Sequence, residues 1–236
     1  DTLEETAYFL HLVIKSHKPI VMVGAVRPAT AISADGPLNL YNAVKVASYK
    51  ESHGKGVLVV LNDRIGSARF ITKMNTTMVD SFKALEQGYI GSLVGGKVYY
   101  FYKDVSYPHT LGSVFDIKKI DDLPRVSIIY SHQGDERFMY DAAVQARVKG
   151  IIVATAGGYT LSGQARSGIH DALDQGLIVV RSSRLNAGIV SRTPMDDQSG
   201  YITSESLNPA KARILLMLAL ESTKDRDKIQ KYFQYY

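Results

Sequence analysis

Apolar residues run through this chain in short blocks separated by helical periodicity. "PIVMV" and "GVLVVL" read as buried strands, the first ending at Gly24, and "SADGPLNLYNAV" starts a helix at its Asp-Gly-Pro. A further helix is expected over "NTTMVDSFKAL". Strands alternating with helices indicate a parallel sheet with helices on its faces. "YIGSLVGGKVYYFY" breaks the alternation, because two strand-like runs meet at Gly95-Gly96 as in a hairpin. At the start, "DTLEETAYFL" places Asp1 and Glu4 at the spacing of a capping box, with Leu3, Ala7, Leu10 and Ile14 on one helical face. A chain that opens on a helix cap is expected to begin at a boundary inside a fold.

From Lys103 to Pro124 the periodicity is poor, and two prolines fall in this stretch. A second α/β pattern follows: "VSIIY", a helix over "ERFMYDAAVQARV", "GIIVA", a helix over "ARSGIHDALDQ", "LIVVR" and a closing helical pair from Asn208. Three buried strands spaced by two helices imply a small parallel sheet. The expected organisation is α/β with two domains: an incomplete N-terminal domain over 1–102 with a larger, flavodoxin-like mixed or parallel sheet, a linker over 103–124, and a smaller parallel-sheet domain over 125–236. In such folds ligands gather at the carboxyl ends of the strands. Four loops qualify: "GAVRPATAISADGP", "NDRIGSARFITKMNTT", "TAGGYTLSG" and "SSRLNAGIVSRTPMDDQSG".

Composition narrows the chemistry. At 236 residues, 45% apolar and 22% charged, the chain is of ordinary globular make-up, and no apolar run reaches membrane-span length. It has no Cys, which removes thiolate nucleophiles, disulfides and Cys-based zinc sites. The net charge of +5 would suit an anionic partner, yet acids and bases are interleaved without a basic block or an aromatic stripe, so nucleic acid is not expected. Six scattered His form no metal-binding pair, and neither a phosphate loop nor a serine-nucleophile elbow is present. No metal or cofactor is expected. Lys73, in a polar stretch after a buried strand, is the residue with most chemical promise. A lysine becomes a general base only where burial or a nearby cation favours its neutral form and an acid positions it.

The stretches "DTLEETAYFL", "MVGAVRP", "SADGPLNLYNAV", "VLVVLNDRI", "TKMNTT", "VVRSSR" and "LNPAKARILLMLAL" together resemble, in order and approximate spacing, the bacterial type II L-asparaginases, including the asparaginase-glutaminases. The resemblance runs along the whole chain. It implies hydrolysis of L-asparagine, with L-glutamine as a second substrate, through a Thr nucleophile and an acyl-enzyme. It further implies that a Thr directly before Asp1 belongs to a Thr-Lys-Asp triad, and that the nucleophilic Thr lies farther upstream. Lys73 and Asp1 are then the catalytic residues supplied here, and Asp1 also binds the substrate's α-amino group. Ala25 matches a residue whose backbone carbonyl lies near the side-chain amide of the substrate.

Two stretches depart from the family pattern. "TAGGYTLS" places Thr160 at a polar substrate-facing position and Tyr159 where Gly is common. The Glu that reaches the substrate from a neighbouring subunit has no match, and Asp196 and Asp197 are the nearest acids. The resemblance also implies a homotetramer of close dimers, with these residues acting in trans, and a periplasmic or secreted location. The alternative is a non-catalytic α/β module that binds an amino acid.

Overall fold

The computed structural model describes residues 2–103, 107–157 and 160–236, and the chain divides into two compact units, 1–119 and 120–236. The first unit begins with α1 (Leu3–Val13), β1 (Ile20–Val23), α2 (Gly36–Ser48), β2 (Val57–Leu61) and β3 (Arg64–Ser67). Short strands β4 (Thr72–Lys73) and β5 (Phe82–Lys83) follow, then the hairpin β6 (Gly91–Val94) and β7 (Lys97–Tyr100). The main sheet has the order β1-β2-β3-β6-β7, and β4-β5 form a separate antiparallel pair. Only β1 and β2 run parallel; β3, β6 and β7 are joined by antiparallel pairing. Thus the expected alternation of parallel strands stops at β2, and the sheet is mixed.

β2 explains why this region reads as an unbroken apolar run. Successive side chains of a strand point to opposite faces, and here both faces are covered. Val57, Val59 and Leu61 pack with Ala7, Leu3 and Leu10 of α1, while Leu58 and Val60 pack with Ala43 and Val46 of α2. Every residue of β2 is buried.

Several expectations need correction. No helix forms over 75–85. Asn75 Oδ1 instead accepts the backbone N–H groups of Thr77 and Met78, both at 2.9 Å, so a side-chain turn replaces the first helical turn and the chain re-enters as β5. β3 lies within a stretch read as loop. It is reached through a two-residue turn in which Asn62 and Asp63 both have left-handed φ values, 50° and 57°, as a tight hairpin requires. Helix α1 has Thr2 as its N-cap, without a side-chain cap; the capping box expected between Asp1 and Glu4 involves Asp1, which lies outside the described residues. Residues 107–119 carry two 3-10 turns and belong to the first unit, where Lys15 Nζ donates to the carbonyls of Thr110, at 3.0 Å, and Ser113.

The second unit contains β8 (Val126–Tyr130), α3 (Phe138–Gln145), β9 (Gly150–Thr155), α4 (Gly163–Asp174), β10 (Ile178–Ser183), α5 (Pro194–Ser199), β11 (Ile202–Thr203), α6 (Pro209–Leu220) and α7 (Arg226–Tyr235). Its sheet is fully parallel with the order β11-β10-β9-β8, one strand more than the sequence announces. Ile151, Val153 and Val179 meet Tyr140 and Ala143 of α3 and Ala165, Ile169 and Ala172 of α4 in one buried cluster. Helix α6, with Leu215 and Leu216 fully enclosed, packs against β8, β9 and β10.

Candidate active site

In the first unit, three segments bear on the expected chemistry: the start of α1, the loop after β1 and the β4-β5 pair. Lys73 is half-buried on β4, with Phe82 as its partner across the pair. Its backbone N–H donates to Glu4 Oε1 at 3.3 Å. Glu4 therefore ties the first turn of α1 to the strand that carries Lys73. Lys73, Met74, Asn75 and Thr76 line an open cleft of about 600 Å³. The backbone around it is fixed by Met74 N–H donating to Ser81 O at 2.6 Å and by the Tyr89 hydroxyl donating to Phe82 O at 2.9 Å.

Ala25 is exposed just beyond β1. The Asp35 carboxylate holds the following backbone, accepting from Val26 N–H at 3.0 Å and from Arg27 N–H at 2.8 Å. Burial pushes the Asp35 carboxyl up, but these N–H groups together with Asn39 outweigh it and hold the group below its ordinary value. Asn39 is buried on α2, and its Nδ2 donates to Gly24 O at 3.0 Å and to Asp35 Oδ2 at 2.9 Å. The carbonyl just before Ala25 thus has a fixed partner.

In the second unit the expected substrate residues fare differently. Thr160 is exposed after β9, and Tyr159 beside it lies outside the described residues. Asp196 is fully enclosed. Its carboxylate accepts from Arg181 Nε at 2.8 Å, Arg181 Nη2 at 2.9 Å, Thr193 N–H at 2.8 Å and the Thr193 hydroxyl at 3.0 Å. Asp196 is therefore the cap of α5 and the counter-ion of a buried arginine, which corrects its assignment to substrate binding: no oxygen is left to face a ligand. Asp197 is exposed and pairs with Arg192.

Sequence reasoning did not single out Glu4 as a tether, nor Asn39 as the partner of the loop after β1. The repeated Asn in "NLYN", three positions apart on α2, was the available signal, since both side chains reach the β2-β3 turn. Among the described residues no group of three or more His, Asp or Glu could hold a metal ion. No helix among them is long and apolar enough to cross a membrane.

Comparison with known proteins identifies the family. Residues 1–106 match the family described as Asparaginase, N-terminal, and residues 125–233 match the Glutaminase/Asparaginase C-terminal domain. A protein named Probable L-asparaginase periplasmic, from Haemophilus influenzae, is 44% identical over 99% of this chain and 67% of its own length. The chain belongs to the asparaginase family. L-asparaginase 2 of Bacillus subtilis is 52% identical over the whole of this chain and 62% of its own length. A crystal structure titled Probable Cytoplasmic L-asparaginase, from Campylobacter jejuni, is 47% identical with a TM-score of 0.96 over the whole of this chain and 77% of its own. The chain thus spans about two thirds of the length of the two curated relatives. Those named proteins include one periplasmic and one cytoplasmic asparaginase.

Proposed function

We propose that the protein hydrolyses the side-chain amide of L-asparagine, with L-glutamine as a second substrate, releasing ammonia and the free acid. The observation that carries this reading is the Glu4 tether, which sets the strand of Lys73 beside the first turn of α1, directly after Asp1. In the mechanism the family resemblance implies, Lys73 takes the proton of a Thr hydroxyl, the oxygen attacks the amide carbon, and the amine leaves as ammonia once protonated. Water then adds to the acyl-enzyme and the Thr regains its proton. Asp1 supports Lys73 and fixes the substrate's amino group, and the backbone at Ala25 faces the amide. Thr160 and the exposed Asp197 are then substrate contacts made across subunits of a homotetramer of close dimers, which light scattering of the purified protein checks. Export to the periplasm or medium accompanies the type II resemblance, and cell fractionation tests it.

The experiment is ammonia release from L-asparagine and L-glutamine by the gene product, including any residues encoded ahead of Asp1, compared with Lys73→Met. Loss of a positioned general base lowers kcat by about 10²–10⁴-fold, with KM for asparagine little changed. Full activity in Lys73→Met would overturn the assignment. Binding of asparagine with no ammonia released by the unaltered protein would favour an amino-acid-binding module instead.

A further inference from the structure

A continuous hydrogen-bonded chain runs through the first unit between the two backbone segments that the proposed site uses. It begins at Gly24, whose carbonyl accepts from Asn39 Nδ2 at 3.0 Å. The Asn39 side-chain oxygen accepts from the backbone N–H of Asn62 at 3.0 Å, and Asn62 Nδ2 donates to Asp80 Oδ1 at 3.3 Å. Asp80 Oδ2 pairs with Lys83 Nζ at 3.1 Å, and Lys83 stands opposite Thr72 on β4, the residue before Lys73. Four side-chain contacts and one strand pairing thus join the loop of Ala25 to the strand of Lys73.

The conformation of each member suits this duty. Asn39 is 2% exposed, and its two amide hydrogens and its oxygen are all engaged, so it cannot rotate without leaving buried polar groups unpaired. Asn62 has a left-handed φ of 50°, which Asn tolerates better than most residues, and so the turn aims its side chain at Asp80. The other half of the turn is pinned as well: Asp63 accepts from Asn42 Nδ2 at 2.7 Å through its carboxylate and from Leu93 N–H at 2.9 Å through its carbonyl. The Asn62 amide therefore projects from a turn held on two sides. Lys83 also holds the Asp80 carboxyl below its ordinary value, keeping it ionised as an acceptor.

We propose that Asn39 and Asn62 are positioning residues that set the Ala25 backbone and Lys73 on one frame, Asn39 acting on the substrate-facing loop and Asn62, through Asp80, on the lysine strand. This rests on the amidohydrolase reading above. Geometry of this kind matters because a displacement of about 1 Å in a reacting group can cost roughly a hundredfold in rate.

The test is steady-state kinetics of the gene product with Asn62→Gly, which keeps the left-handed turn and the backbone N–H to Asn39 but removes the amide to Asp80. Its kcat for asparagine should fall by roughly 10–100-fold, with KM within about twofold and the fall surviving normalisation to the folded fraction. Asp80→Ala should copy it, Asp80→Asn, which still offers an oxygen, should restore it in large part, and the double variant should be no worse than either single one. Asn39→Asp keeps the acceptor for Asn62 but turns an oxygen toward Gly24 O, and should raise KM. Wild-type kcat in Asn62→Gly, or a fall that disappears on normalisation, overturns the proposal. If Lys73→Met is inactive while Asn62→Gly is not, only the positioning role fails; if Lys73→Met is fully active, the amidohydrolase reading itself fails.

Discussion

Replacing Asp196 with Ala removes one partner of an ion pair whose side chains are 5% exposed on Arg181 and fully enclosed on Asp196. The guanidinium would then stay buried without the Asp196 carboxylate, while its Nη2 keeps the bond to Ser191 O at 3.0 Å. Breaking such a pair from one side costs about 3–5 kcal/mol. Loss of the Thr193 capping box at α5 adds about 1 kcal/mol. For a chain of this length each kcal/mol lowers Tm by about 2–4 °C, so a drop of roughly 8–24 °C is expected in calorimetry or near-ultraviolet circular dichroism. Asp197→Ala provides the control on the neighbouring residue. It loses an exposed pair with Arg192, worth about 0–1 kcal/mol, and should leave Tm almost unchanged. A substrate-binding Asp196 would give the opposite signature: a raised KM at unchanged Tm. If Asp196→Ala melts within about 1 kcal/mol of the parent, the buried-pair argument is wrong.

Two other perturbations test the first unit. Because the folded-state value of Asp35 is depressed, its hold on Val26 and Arg27 is complete above the unfolded-state value of about 3.9 and is lost as pH falls through the lower folded value. Amide exchange at these two residues should therefore rise, relative to the intrinsic rate, only in the acid range, and a rise already present at neutral pH would refute this. In Gly66→Ala, the new Cβ would fall 2.1 Å from Ile71 Cγ1, which has no room to retreat in the core beneath α1. Overpacking of this kind costs about 1–3 kcal/mol, and a urea midpoint equal to that of the parent would show that the core yields there.

The fold was legible wherever burial on both faces left a continuous apolar signature. β2, β9 and β10 are of this type, and their helices follow from periodicity. β3 was not legible, since Arg64–Ser67 carries one large apolar side chain, and β11 is two residues long. The helix expected over 75–85 failed for a local reason, the capture of two backbone N–H groups by Asn75, which a count of apolar positions does not register. At the site, Lys73 stood out by its place in a polar stretch after a buried strand and took its role from the resemblance, and Ala25 came from the resemblance alone. The partners that hold them were hidden because they act across long separations: Glu4 and Lys73 are 69 residues apart, and Asn39 and Asn62 are 23 apart. Asp196 shows the converse error. An acid in a polar loop looks available until a buried arginine from the adjacent strand is seen to claim it.

The sheet order of the second unit bears on how the protein is made. Each strand from β8 to β11 hydrogen-bonds to the strand next in sequence, so the edge that receives a newly synthesised strand is formed by the one just before it. With chain growth of about 5–20 residues per second, this half can assemble in the order of its synthesis, and no strand waits for a partner encoded far downstream. In the first unit, β3 has no neighbour on one side until β6 emerges after the β4-β5 excursion. The nascent chain therefore leaves the edge at Arg64–Ile65 unpaired until β6 is made, an interval close to the one β9 waits for β10, but with a separate strand pair formed in between.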